Sequence, residues 1–256
     1  MRTAPWSPVR ALTSGRRAPL RALLVLVVAW VVVTPIRRVG TVPSAYAPSI
    51  DAAAFAHPIE NRWWPLRPGT VRVYTGIKEG KAARDVVTVT TDTERILGID
   101  AVVVRDLLFA DGRLVERTRD YYAADNSGAV WYLGEDTAEL DRRGRVLSRE
   151  GTWRAGRAGA QPGVVMEPSP VVGKAIRQEY LRGHAEDWYR VVTISHGVRV
   201  PQGVYPDALA TAEWTPLEPG VLDRKEYAPG VGEISERAVR GPQETLELVE
   251  MRPPTG

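Results

Sequence analysis

The sequence predicts an all-β protein, an antiparallel meander closing into a barrel or curved half-barrel, and three observations predict it. From residue 48 onward, short runs of alternating apolar and polar residues recur about every ten positions, the period of half-buried strands. Turn signals such as Asp111-Gly112 and Asn126-Ser127-Gly128 separate these runs. No convincing amphipathic helix interrupts them. About a dozen strands without helical crossovers must curl, because open twisted sheets rarely exceed about ten strands and closure removes aggregation-prone edges. A two-sheet sandwich is the alternative.

The N-terminus comes first. Arg2, Arg10, Arg16, Arg17 and Arg21 precede an apolar run from Ala22 to Val33. That is the layout of an export signal, and the run falls short of the roughly 20 residues of a membrane span. Ala45-Tyr46-Ala47 offers a cleavage site, whereas Pro48 and the Arg37-Arg38 flank favour a retained anchor. Residues 1–47 therefore read as a signal peptide or membrane anchor, and residues 48–56 as a linker. Residues 57–256 read as a single β-rich domain, secreted or extracytoplasmic. If uncleaved, the chain is held to the cytoplasmic membrane by residues 22–36.

Within the domain the first strands are Thr70 to Thr75, Asp85 to Thr91, Ala101 to Ala110 and Arg113 to Ala123. An aromatic hairpin follows, Asp120 to Asp136, and Arg145 to Trp153 is read as another strand. Ala155 to Val172 is rich in Gly and Pro and predicts a long loop. Strands resume at Ala175 to Leu181, Trp188 to Ser195, Ala208 to Thr215, Leu222 to Ala228, Gly232 to Arg237 and Thr245 to Met251. Pro65-Leu66-Arg67-Pro68-Gly69 is echoed by Pro216-Leu217-Glu218-Pro219-Gly220, which suggests one turn chemistry used twice.

Composition narrows the function. The first 47 residues hold seven Arg and no acid, so from Pro48 onward 27 bases face 31 acids. With no basic stripe interleaved with aromatics, nucleic acid is not an expected partner. The chain has no Cys, which excludes disulfides, thiolate metal sites, a Cys nucleophile and a lipid-modified Cys. No cofactor is expected.

Several blocks carry a resemblance: Pro65 to Thr70 with Tyr74-Thr75-Gly76, Trp131 to Glu135, Arg177-Gln178-Glu179-Tyr180, Glu186-Asp187, and Tyr227 to Gly232. In this order, across Asn61 to Glu236, they resemble a group of secreted bacterial β-rich proteins without an established function. The resemblance implies an envelope-associated or secreted β domain and no particular reaction. The whole is also similar to lipocalin-like and lipoprotein-carrier-like barrels.

Two constellations are candidates for function. Eight Trp and nine Tyr against two Phe favour half-wet pockets. Tyr121, Tyr122, Trp131 and Tyr132 are the candidate ligand-binding residues, one member of each adjacent pair facing inward. They imply a lipid, glycan or other apolar-faced ligand, or a partner protein. The second constellation is Glu179, His184, Glu186 and Asp187, which would serve a hydrolase or a metal-dependent enzyme. Glu135/Asp136 facing Glu186/Asp187 is the arrangement a glycosidase would need. There is no Gly-x-Ser-x-Gly elbow, and Ser195 beside His196 is no nucleophile-base pair, since strand neighbours point to opposite faces. The leading expectation is a non-enzymatic binding or structural domain.

Overall fold

The computed structural model describes residues 46–254, which belong to one compact unit, Ser44–Gly256. The apolar run, the Arg37-Arg38 flank and the rest of the signal or anchor up to residue 45 lie outside the described residues.

Fifteen strands form one antiparallel sheet. The first four are β1 (Val71–Lys78), β2 (Lys81–Ile96), β3 (Ile99–Ala110) and β4 (Arg113–Ala124). Two-residue turns join them, and Glu79-Gly80, Leu97-Gly98 and Asp111-Gly112 all take positive φ at both positions. This mirror-image turn matches the twist of the flanking strands, so register is fixed locally. Asp111-Gly112 is the hairpin its sequence predicts, and the other two place Glu and Leu in the same conformation.

The hairpin to β5 (Val130–Leu140) closes through Asp125, whose Oδ1 accepts from the Ser127 and Ala129 amides at 2.8 and 3.0 Å. Gly128 has a φ of 88° there. Short strands follow: β6 (Val146–Ser148), β7 (Trp153–Arg154), β8 (Gln161–Met166), β9 (Ala175–Arg177) and β10 (Glu179–Tyr180). The C-terminal wing is β11 (Trp188–Val200), β12 (Gly203–Trp214), β13 (Leu222–Ala228), β14 (Gly232–Arg240) and β15 (Glu244–Arg252).

β1 pairs with β2 on one side and β15 on the other, so the last strand returns beside the first. From this centre one wing runs through β2, β3, β4, β5, β8 and β10, the other through β15, β14, β13, β12, β11 and β9. The ladder stays open, so the curved, unclosed form is the one built. Its two ends are nearly continuous in the chain. β9 pairs with β11, β10 pairs with β8, and only Gln178 separates them.

Four expectations change here. The Gly- and Pro-rich stretch read as a loop contains β8, whose Gly163 sits opposite Tyr132 and against the Gln178 backbone; a Cβ there would lie 2.4 Å from the Gln178 carbonyl carbon. Arg145 to Trp153 is two short strands on β5, not one. The segment read as a linker holds a 3-10 helix, Ala52–Phe55, capped by Asp51 and packed through Ile50 and Phe55 on the main core. The repeated five residues do not share a turn: Gly69 takes a φ of 91°, and Gly220 stays out of the left-handed region.

Candidate functional site

The site is built around Trp64. Asn61 is buried and makes four bonds: its Oδ1 accepts from the amides of Trp63 and Trp64 at 2.8 and 3.1 Å, while its Nδ2 donates to the carbonyls of Gly128 and Glu167 at 2.7 and 3.0 Å. One side chain thus ties the Trp-Trp turn to the β4–β5 hairpin and to the chain after β8. Trp64 then meets Tyr122 of β4 edge-on at 5.4 Å and Tyr227 of β13 at 5.8 Å. These strands lie on opposite wings, so the indole spans the concave face. Tyr122 stacks on Tyr132 at 4.7 Å, and Tyr132 meets Trp153 edge-on at 5.3 Å. Such pairs are worth about 0.5–1.5 kcal/mol each beyond the area they bury.

On one side of this aromatic layer the concave face is acidic. Residues opposite each other in the ladder share a face, which places Asp106, Asp120 and Glu135 there with Thr118 and Thr137, whose hydroxyls hydrogen-bond at 2.9 Å. Tyr132 donates its hydroxyl proton to Asp120 at 2.6 Å. Lys225 of β13 has Glu236, Glu233 and Glu213 at 3.4, 3.7 and 3.8 Å. Two cavities of about 180 Å³ each lie here, and both are bordered by Trp64, Tyr122 and Lys225.

Burial with too little compensating charge governs these carboxyls. Desolvation first, then repulsion from Asp106 and the proton that Asp85 holds toward it, push Asp85 up to about 10, and desolvation pushes Asp106 up to about 6. Burial first, then neighbouring acids, raises Asp120, Glu135, Glu179 and Glu233. Burial disfavours the charge on Lys225, but Glu233, Glu236 and Glu213 outweigh it and hold the ammonium.

On the other side of Trp64 is a cleft of about 430 Å³. Phe55 and Pro58 of the N-terminal segment, Trp64 and Leu66 of the turn, and Ile99, Val102 and Ala124 of the sheet line it. The ion pair Arg95–Asp100, at 2.7 Å and largely exposed, stands on its rim.

The residues singled out from the sequence divide between the two faces. Tyr122 and Tyr132 are the inward pair and border the polar interior. Tyr121 is fully buried on the opposite face, donating to Asp136 at 2.6 Å beneath the Arg154 guanidinium. Trp131 also faces outward, donating to Asp125 at 2.9 Å and meeting Phe55 edge-on at 6.3 Å. The four do not form one pocket.

The acidic constellation splits as well. Glu179 and Asp187 enter the interior with Glu213 and Lys225, whereas Glu186 caps the turn at the Gly183 amide and His184 is exposed. Among the described residues no group of three or more His, Asp or Glu is placed to hold a metal. His196 pairs with Glu226 at 2.7 Å and makes no bond to Ser195. The acidic interior and the cleft at Phe55 were missed from the sequence. The signal for the first was present: Asp85 shares its alternation phase with Val87 and Val89.

No protein-family model matches the sequence, and no curated protein matches it. Among solved structures, the chain is similar to a candidate exported protein with a YmcC-like fold from Bacteroides fragilis, at 13% identity over 75% of this chain and 99% of that one, with a TM-score of 0.42. It is also similar to a candidate lipoprotein from Parabacteroides distasonis, at 12% identity over 76% of this chain and 100% of that one, with a TM-score of 0.40. Both likenesses are distant in sequence and loose in superposition.

Proposed function

We propose that this chain is an exported, non-enzymatic envelope domain that binds a small apolar-faced molecule in the cleft between Phe55 and Trp64. The cleft carries the reading: at about 430 Å³ it falls within the range of small-molecule sites, about 300–1,000 Å³. Phe55, Trp64, Leu66, Ile99 and Val102 give it an apolar lining, and Glu60, Asn61, Arg95 and Asp100 add polar groups, which suits a ligand with one apolar face and one wet edge. The N-terminal strap supplies Phe55 and Pro58, so the cleft exists only where that strap is docked. Export rests on the Arg-flanked apolar run, which lies ahead of the folded unit. The enzymatic reading has the convergence of Glu179, Asp187 and Glu213 in its favour, but each interior cavity, at about 180 Å³, is below that size range.

Titration of the exported domain with dodecanoate and with an anilinonaphthalene sulfonate dye tests the binding. Binding should change tryptophan emission and raise the melting temperature in proportion to ligand concentration. Trp64→Phe should remove most of the emission change while preserving dye binding. Emission and melting temperature that ignore both probes would reject the reading.

A further inference from the structure

A second cleft, of about 360 Å³, lies on the convex face beside Trp214. The ladder places Trp188 of β11 directly opposite Trp214 of β12, and the two rings stand parallel, 6° apart in plane with centroids 6.3 Å apart. Trp214 borders the cleft and Trp188 does not. Val221, Leu222, Arg190 and Arg240 line it as well. Both arginines are exposed, and among the described residues neither has a carboxylate within ion-pair distance. The Arg190 guanidinium sits 5.5 Å from the Trp214 ring centre.

We propose that this cleft binds an acidic sugar residue of an anionic polysaccharide, with the ring against the Trp214 indole and the carboxylate on Arg190 or Arg240. The chemistry selects this ligand by its two halves. An inorganic anion would use the guanidinium groups and leave the indole idle; a plain lipid chain would use the indole and leave two cations unpaired. A uronate ring has C–H faces that stack on an aromatic plane and a carboxylate that matches the planar guanidinium fork. Nucleic acid also stacks, but acids outnumber bases in the domain, 31 to 27, and a polyphosphate needs a larger basic field than two arginines supply. The exposed Arg237 on β14 is also free of ion pairs among the described residues and would meet the next charged unit of the chain.

The test is titration of the exported domain with an oligogalacturonate, a neutral oligosaccharide of equal length and a thymidine oligonucleotide, read by tryptophan emission and calorimetry. The account expects binding of the oligogalacturonate alone, weakened by added salt. Arg240→Gln and Arg190→Gln should each weaken it about tenfold, at unchanged melting temperature because both side chains are exposed. Equal binding of the neutral oligosaccharide, tighter binding of the oligonucleotide, unaltered affinity in both arginine variants, or no binding at millimolar ligand would each overturn it.

Discussion

On one side of Trp64 lies a cleft of about 430 Å³ walled by Phe55, Leu66, Ile99 and Val102; on the other, cavities of about 180 Å³ are walled by Asp120, Glu179, Glu213, Glu233 and Lys225. A single indole separates an apolar compartment from an acidic one. A large apolar ligand entering the acidic side would have to displace hydrogen-bonded carboxyls, whereas on the other side it meets Phe55, Leu66, Ile99 and Val102. On the proposed reading ligand binding belongs to the cleft, and pH sensitivity to the interior.

Removing the partition should have the largest effect. Trp64→Ala deletes contacts with both Tyr122 and Tyr227 and should destabilise the domain by about 3–5 kcal/mol in denaturant unfolding. A cost below about 1 kcal/mol would mean that Trp64 does not join the wings. Next comes the side chain that holds the partition in place. Asn61→Ala leaves four backbone groups without a partner and should cost about 1–3 kcal/mol, with a matching loss of dye binding because the Trp64 turn loosens.

The acidic compartment should make stability depend on pH in an unusual direction. Carboxyls titrate near 4 in the unfolded chain, but burial raises Asp106 to about 6 and Asp85 to about 10 in the folded one. Between those values the native state binds more protons, so their contribution is fully present below about pH 4. It is lost as pH rises through about 6 for Asp106 and about 10 for Asp85. The melting temperature should therefore fall from mildly acidic to alkaline pH, and Asp85→Asn should flatten that slope. Lys225→Met should steepen it, since Glu233, already raised by burial, loses the cation that holds it down. A melting temperature that climbs between pH 5 and 8 would contradict the protonated interior.

The smallest effect belongs to a turn far from both compartments. Gly112 has a φ of 75° with open space around its Cβ position, so Gly112→Val should cost only backbone strain, about 1 kcal/mol, and leave dye binding unchanged.

Much of the sheet was legible because its signals are local. The bounds of β13, Leu222–Ala228, follow from alternation between two turn-rich stretches, and Asp111-Gly112 names its own turn type. The element β8 was not legible, because Pro162 and Gly163 are strand-breaking residues. Gly163 is required there by the close approach of the Gln178 backbone, a contact between residues distant in sequence. The sites were harder still. Alternation shows that Tyr122 and Asp120 share a face and that Tyr121 takes the other, but not which face curls inward. Tyr121 and Trp131 were therefore grouped with Tyr122 and Tyr132, although Tyr121 lies under Arg154 and Trp131 against Phe55. The cleft depends on residues 52–58, and the small, aperiodic sequence of residues 48–56 reads as a linker until Phe55 is seen against Trp131.

Blocking the cleft from inside tests the central claim most directly. Ala124 borders the cavity beside Val102 and is only half-buried, so Ala124→Phe fills the space without opening the core. Dodecanoate affinity should be measured for the native chain and for this variant, with melting temperatures recorded alongside. The account predicts that the variant melts within a few degrees of the native chain and loses at least about tenfold in affinity. Undiminished affinity in a stably folded Ala124→Phe protein would contradict it.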